Sequence, residues 1–117
     1  MGEADLSKQL QKELSKIAEV AQEEELRRHI FPLSEKFEEW KAERLTSVEL
    51  SNAIRAFHTG PAREIDGRYN GRLDELMVPS AISRGIIDKN IISPKLLEAL
   101  TTIIRYYEEN RIQNSSE

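Results

Sequence analysis

The apolar residues near the start of the chain recur every three or four positions, as they do on the buried side of an amphipathic α-helix. At about 100° per residue they fall on one side of a helix, and most of the charged residues between them fall elsewhere. We therefore predict a helix over residues 4–24. Its apolar stripe consists of Leu6, Leu10, Leu14, Ile17 and Ala21.

A second apolar stripe follows, on nearly the opposite side of the helix. Its residues are spaced 4, 3, 4 and 3 positions apart, which is a heptad-like pattern. Pro32 lies within the stripe, and because proline removes a backbone donor we predict a kink or a helix restart at Phe31–Pro32. The stripe consists of Leu26, Ile30, Leu33, Phe37 and Trp40.

The change of side at residues 21–26 is compatible with two structures. One helix can continue and present opposite sides to different neighbours, or the chain can turn and form a hairpin. These residues contain no glycine or proline, which favours a continuous helix. A helix that changes side has difficulty covering both stripes within its own small chain, so we expect the first stripe to contact another molecule.

The later helices are marked by start and stop signals. Thr46 and Glu49 match a capping box, and the helix that they open is predicted to end at Thr59-Gly60-Pro61. Ser93, followed by proline, predicts the start of the last helix. That helix carries the apolar residues Leu96, Leu97, Leu100, Ile103, Ile104 and Tyr107.

The segment between these two helices has weaker signals. Residues 60–72 contain three of the five glycines in the chain and are predicted to form a loop. Short helices are predicted at residues 72–78, ended by Pro79, and at residues 80–88.

These elements predict an all-α fold, a small helical bundle of about five or six helices. Its N-terminal helix is long, and the pattern allows that helix to project from the bundle. We expect a single helical domain over residues 1–117, in which residues 4–24 are an oligomerisation arm or part of the bundle and residues 26–112 are the helical core.

Composition narrows the class of protein. Of the 117 residues, 38% are hydrophobic and 32% are charged, which suits helices with one apolar side and one solvated side. The chain has no cysteine, no apolar stretch long enough to cross a membrane and no secretory signal, so we expect a cytoplasmic protein and no membrane partner. Its net charge is −4, which argues against general binding of nucleic acid.

Candidate metal sites lack essential ligands. His29 lies four residues after Glu25, but the sequence places no third ligand beside them. A calcium-binding loop beginning at Asp66 would have Arg68 and Met77 where oxygen ligands are needed. Because motifs for nucleophiles and for phosphate-binding loops are also missing, we expect no cofactor and no enzymatic activity.

The glycine-rich stretch contains the least ordinary chemistry. His58, Arg63, Arg68, Tyr69 and Arg72 are concentrated there, and arginine suits contacts with carboxylates and phosphates. One hypothesis is therefore a small-ligand or anion-binding loop at residues 58–72. In the alternative interpretation, which we favour, Arg63 and Arg68 pair with nearby carboxylates (Glu64, Asp66 or Asp74) and hold the connection in place.

The leading functional hypothesis is a non-enzymatic protein–protein interaction or regulatory module. We expect it to self-associate, as a homodimer, through Leu6, Leu10, Leu14 and Ile17, with its partner being a second copy or another protein. Binding of a ligand by the 58–72 loop is the second hypothesis. A helix-turn-helix DNA-binding protein, built from residues 80–88 and the helix after Ser93, is the third.

Overall fold

The computed structural model describes residues 8–70 and 74–115, with side chains described as far as residue 110. All the regular structure in these residues is helical and no strand occurs in them, which confirms the predicted all-α class and the long N-terminal helix. The α-helices are α1 (Lys8–Lys41), α2 (Ser47–Phe57), α3 (Arg63–Asn70), α4 (Asp74–Ser83) and α5 (Pro94–Ser115).

Helices α2 and α3 are joined without a break by a π-helical turn at His58–Ala62. The predicted stop at Thr59-Gly60-Pro61 and the predicted loop after it are therefore wrong over the residues described. The wider π turn contains Pro61, a residue whose missing N–H normally interrupts the α-helical ladder. If α2, the π turn and α3 are counted as one continuous helix, the described residues form four helices, slightly fewer than the five or six predicted.

Helix α1 runs without interruption through residues 21–26, so the continuous alternative is the observed one. It also continues through Pro32, and the predicted restart there is wrong. The ring of Pro32 lies on an exposed side of the helix. Water can reach the backbone on that side, which limits the cost of the lost hydrogen bond.

Proline also fails to end α4. Pro79 lies within that helix and is fully buried beside the equally buried Val78. The predicted stop at Pro79 and the predicted helix at residues 80–88 are both wrong, because α4 continues to Ser83 and only a short 3-10 turn, Lys89–Ile91, follows before α5.

Two helices end with the same backbone geometry. At the end of α1, the Arg44 N–H donates to the Glu39 carbonyl oxygen at 2.8 Å and Glu43 has a φ of 61°. At the end of α4, the Ile86 N–H donates to the Ala81 carbonyl oxygen at 2.8 Å, and Gly85 has a φ of 74°. Both are Schellman-type ends, in which a residue in the left-handed region terminates the helix.

The described residues fall into two compact units. The first unit combines residues 1–21 with residues 72–117. Its core contains part of α1 together with α4 and α5, and the apolar stripe predicted for the last helix is buried or half-buried. The buried apolar residues are Leu14, Ile17, Ala18, Ala21, Val78, Ala81, Ile82, Ile87, Ile92, Leu96, Leu100 and Ile104.

A carboxylate from α1 reinforces the start of α5 in this unit. Glu13 accepts hydrogen bonds from the Ser93 N–H at 2.8 Å and from the Ser93 hydroxyl at 2.7 Å. The same hydroxyl oxygen accepts a hydrogen bond from the Leu96 N–H at 3.2 Å, so the predicted cap at Ser93 is confirmed.

The second unit comprises residues 22–71. Its buried residues are few: Glu25 from α1, Leu50 from α2, and Ile65 and Tyr69 from α3. The capping box at the start of α2 is confirmed, since Thr46 Oγ1 accepts from the Glu49 N–H and the Glu49 carboxylate accepts from the Thr46 N–H.

Candidate functional site

The arginine-rich segment is helical where it is described, so its candidate residues point in different directions around a helix. Arg68 and Tyr69 both bind the carboxylate of Glu25 within the second unit. The Arg68 Nη1–Glu25 Oε1 distance is 2.6 Å, and the Tyr69 hydroxyl donates to the other carboxylate oxygen. Because Glu25 and Tyr69 are buried, this cluster is part of the interior of the unit.

The partner of Arg68 differs from the carboxylates that the sequence suggested. Glu25 lies 43 residues earlier in the chain, whereas the predicted partners Glu64, Asp66 and Asp74 are near neighbours. A signal for Glu25 does exist in the sequence. It lies four residues after Ala21, and a carboxylate in line with an apolar stripe needs a hydrogen-bonding partner if that side of the helix is buried.

His58 and Arg63 occupy a different site. Together with Thr59, Ala62 and Asp66 they line a surface cavity of about 450 Å³. The side chains of His58 and Arg63 can bind an anion in this cavity, but the carboxylate of Asp66 would repel it. Arg72 lies outside the described residues, so the structure splits the predicted set of five into two pairs.

The described residues of the first apolar stripe are buried or half-buried within the chain. The exposed fractions of Leu14 and Ile17 are only 2% and 5%, and Leu10 is half-buried. Leu6 lies outside the described residues. The first unit already covers the side chains of Leu14 and Ile17, which leaves little of either for the predicted interface with a second copy.

The second stripe is the one left open, which reverses the expected roles of the two stripes. Ile30, Phe37 and Trp40 have exposed fractions of 46%, 37% and 40%. We call these three residues the apolar strip. They share one side of α1 because their spacing is 7 and 3 residues.

Trp40 is held in a defined position by the helix that follows. Its indole Nε1–H donates to Ser47 Oγ at 3.0 Å, across the turn between α1 and α2. On α2, Ile54 lies one turn beyond the buried Leu50 and is itself exposed. The second unit thus presents large apolar side chains from both helices to solvent.

Basic residues flank the apolar strip along α1. Arg27, Ser34 and Lys41 follow one edge of the stripe, and His29 and Lys36 follow the other. Glu35 and Glu39 lie on the far side of the helix, whereas Glu38 contacts Lys41 at 3.4 Å. Arg27, Lys36 and Lys41 therefore place positive charge along α1 beside the strip, whereas Glu43 lines a cavity together with Trp40 at its end.

The edge with His29 and Lys36 also borders a second cavity, of about 270 Å³. Its other lining residues are mostly apolar and come from α1, α2 and the π turn: Pro32, Leu33, Ala53, Ala56, Phe57 and Pro61. Helix α2 thus lies toward the His29 edge. The side of α1 that carries Ile30 and Phe37 faces the other way, along the edge with Arg27 and Lys41.

Other chemistries receive no support from the described residues. No three histidines or carboxylates among them are grouped closely enough to hold a metal ion, and Asp66–Asn70 are helical instead of forming a calcium-binding loop. Residues 84–93 separate α4 from α5, a longer connection than the short turn of a helix-turn-helix. No helix among the residues described is both long and apolar enough for a membrane span.

Comparisons of this chain with protein-family models, with curated proteins and with solved structures find no match.

Proposed function

We propose that this protein is a non-enzymatic protein–protein interaction module that binds its partner through the apolar strip. The observation that carries the proposal is the exposure of Ile30, Phe37 and Trp40 on one side of α1. Large apolar side chains grouped on one surface are typical of binding sites. Aromatic anchors such as tryptophan contribute much of the binding energy in interfaces.

The rigid presentation of the strip supports this function. A helix fixes the spacing of its side chains, and the Trp40–Ser47 hydrogen bond restricts the indole ring. An exposed aromatic side chain that is already ordered loses little conformational entropy when a partner covers it. We also propose a cytoplasmic location, on the sequence-based ground that a chain without cysteine does not depend on an oxidising compartment.

The test compares two variants with the same kind of substitution on opposite sides of α1. Ile30→Ser combined with Phe37→Ser removes most of the strip. Phe31→Ser is the matched control, since Phe31 is 62% exposed but lies on the far side among charged residues. Thermal unfolding first establishes that both variants fold, as expected for exposed positions.

Proteins are then captured from the source cells with each variant, identified, purified and titrated against the protein by calorimetry. We expect a partner whose affinity falls at least about tenfold with the double variant, a loss of ~1.4 kcal/mol, and stays within about twofold with the control. A purified candidate that binds both variants as it binds the wild type contradicts the proposal. So does the failure of every purified candidate to bind.

A second candidate function, binding of a small anion, is favoured by one observation: His58 and Arg63 line the same cavity. Titration with inorganic phosphate, followed by the NMR signals of His58, tests it. We expect Arg63→Ala to abolish saturable shifts and Arg55→Ala, which removes an exposed cation from α2, to leave them unchanged. Shifts that persist in Arg63→Ala, or none in the wild type, contradict this function.

A further inference from the structure

We infer that the segment bound by the apolar strip is an acidic amphipathic helix of another protein. This inference rests on the proposed function and adds the shape and charge of the partner. The spacing of the strip indicates the shape of the partner. Spacings of three and four residues match the contacts that one helix makes with another, in which side chains of each fit between side chains of the other.

The length of the strip sets the length of the partner segment. From Ile30 to Trp40 a helix rises about 15 Å, because each residue contributes ~1.5 Å. Three turns of a partner helix cover that distance. A bound strand would present side chains with a period of two, which does not match the positions 30, 37 and 40.

The charged residues beside the strip indicate the charge of the partner. Arg27 and Lys41 flank the strip on its open side, with Ser34 between them, and no carboxylate occupies the flanking positions from residue 27 to residue 41. Lys41 has an exposed contact with Glu38 at 3.4 Å, which costs little to exchange for another carboxylate. Apart from Glu38, the carboxylate of α1 nearest this edge is Glu23, beyond the end of the strip. Acidic residues beside the apolar side of a partner helix would complement this charge.

The same charges disfavour a second copy of this chain as the partner. If two copies packed strip against strip, Arg27 and Lys41 of one copy would meet the same cations of the other. Like charges brought together in an interface oppose binding. Of the nearby carboxylates, Glu35 lies on the far side of α1, and Glu38 already contacts Lys41 of its own chain at 3.4 Å.

Two designed peptides of about 18 residues test the inference, since a helix of this length can form on binding. Both have leucine at heptad a and d positions and differ only in the flanking e and g positions, which are glutamate in one and lysine in the other. Binding of each labelled peptide to the full chain is measured by fluorescence anisotropy at low salt. We expect the glutamate peptide to bind at least about tenfold more tightly, and its affinity to fall as salt is added.

Three variants identify the surface responsible. Ile30→Ser with Phe37→Ser is expected to abolish binding. Arg27→Glu with Lys41→Glu is expected to reverse the preference, so that the lysine peptide binds more tightly. Lys95→Glu with Arg105→Glu changes the net charge equally at exposed positions of α5 and is expected to preserve the preference.

The outcomes separate this inference from the proposed function. If the strip variant abolishes binding but both peptides bind equally, or the lysine peptide binds better, the acidic partner is wrong and the strip remains a docking surface. If neither peptide binds below about 1 mM, the inference fails and the capture experiment alone decides the function. Self-association of the full chain that the strip variant removes also overturns the inference.

Discussion

Single residues decide how the helices end. Glu43 and Gly85 occupy equivalent positions at the ends of α1 and α4, both with positive φ, but only one is a glycine. A side chain in the left-handed region is strained by its Cβ, whereas glycine is not. A Cβ added at Gly85 would meet no atom within 4 Å, so the backbone angle alone sets the cost of substitution there.

We predict that Glu43→Gly stabilises the protein and that Gly85→Ala destabilises it. Each change should amount to about 0.5–1 kcal/mol, because relief of the strain is partly offset by the greater freedom of glycine in the unfolded chain. Urea unfolding measures both. If both substitutions changed the free energy of unfolding in the same direction, the left-handed geometry would not control these helix ends.

Glu25 illustrates a residue whose partners are distant in the sequence. We predict that Tyr69→Phe lowers the free energy of unfolding by about 1–3 kcal/mol, because a buried carboxylate loses a donor while the ring is kept. Tyr106→Phe is the control, since Tyr106 is exposed and should change stability by less than ~0.5 kcal/mol. The same loss in both variants, measured by thermal unfolding, would contradict a role for the Tyr69–Glu25 bond.

At the scale of the elements, α1 has two apolar stripes that differ in their exposure to solvent. Leu14, Ile17 and Ala21 of its first stripe are buried, and its second stripe is partly exposed. Periodicity predicted both stripes correctly, because it records which residues share a side of a helix. It could not predict which stripe is covered, because that depends on α4 and α5, far along the chain.

The prediction at this scale compares two residues of α1. Leu14→Ala should lower the free energy of unfolding by about 2–5 kcal/mol, since it removes a buried side chain from the core of the first unit. Val20→Ala should change it by less than ~1 kcal/mol, because Val20 is 49% exposed and alanine favours helix. Chemical denaturation measures both, and similar losses would mean that the first stripe is not the buried one.

Local sequence signals predicted some helix ends correctly and others wrongly. The capping box at Thr46 and the cap at Ser93 are confirmed because each depends on a few adjacent residues. Proline and glycine misled the prediction at Pro79 and at Gly60–Pro61. The helix continues through Pro79, which is buried, and through Gly60–Pro61, which form part of a π turn. The sequence alone predicts neither the burial nor the π turn.

At the scale of the whole molecule, the two units differ in how much apolar surface they bury. Among the residues that the structure describes, most of the buried apolar side chains belong to the first unit, and three belong to the second. The candidate site follows the same division. The sequence pointed to the first stripe and the arginine-rich segment, whereas the apolar strip lies at residues 30–40 of the second unit.

We predict that the full chain sediments as a monomer of 13.5 kDa at tens of micromolar. The reason is that Leu14 and Ile17 are covered within one chain and that cations flank the remaining apolar strip. Sedimentation velocity over a range of protein concentrations measures this. A sedimentation coefficient that rises with concentration would contradict the prediction.

The hydrogen bonds between Glu13 and Ser93 join two parts of the chain that are synthesised several seconds apart. Ala21 precedes Leu96 by 75 residues, and at ribosomal rates that interval takes roughly 4–15 s. During it, Leu14 and Ile17 have left the ribosome without the residues that later cover them. Residues 22–71, by contrast, emerge together. The nascent chain therefore passes through a stage in which the apolar side at the start of α1 is open to chaperones.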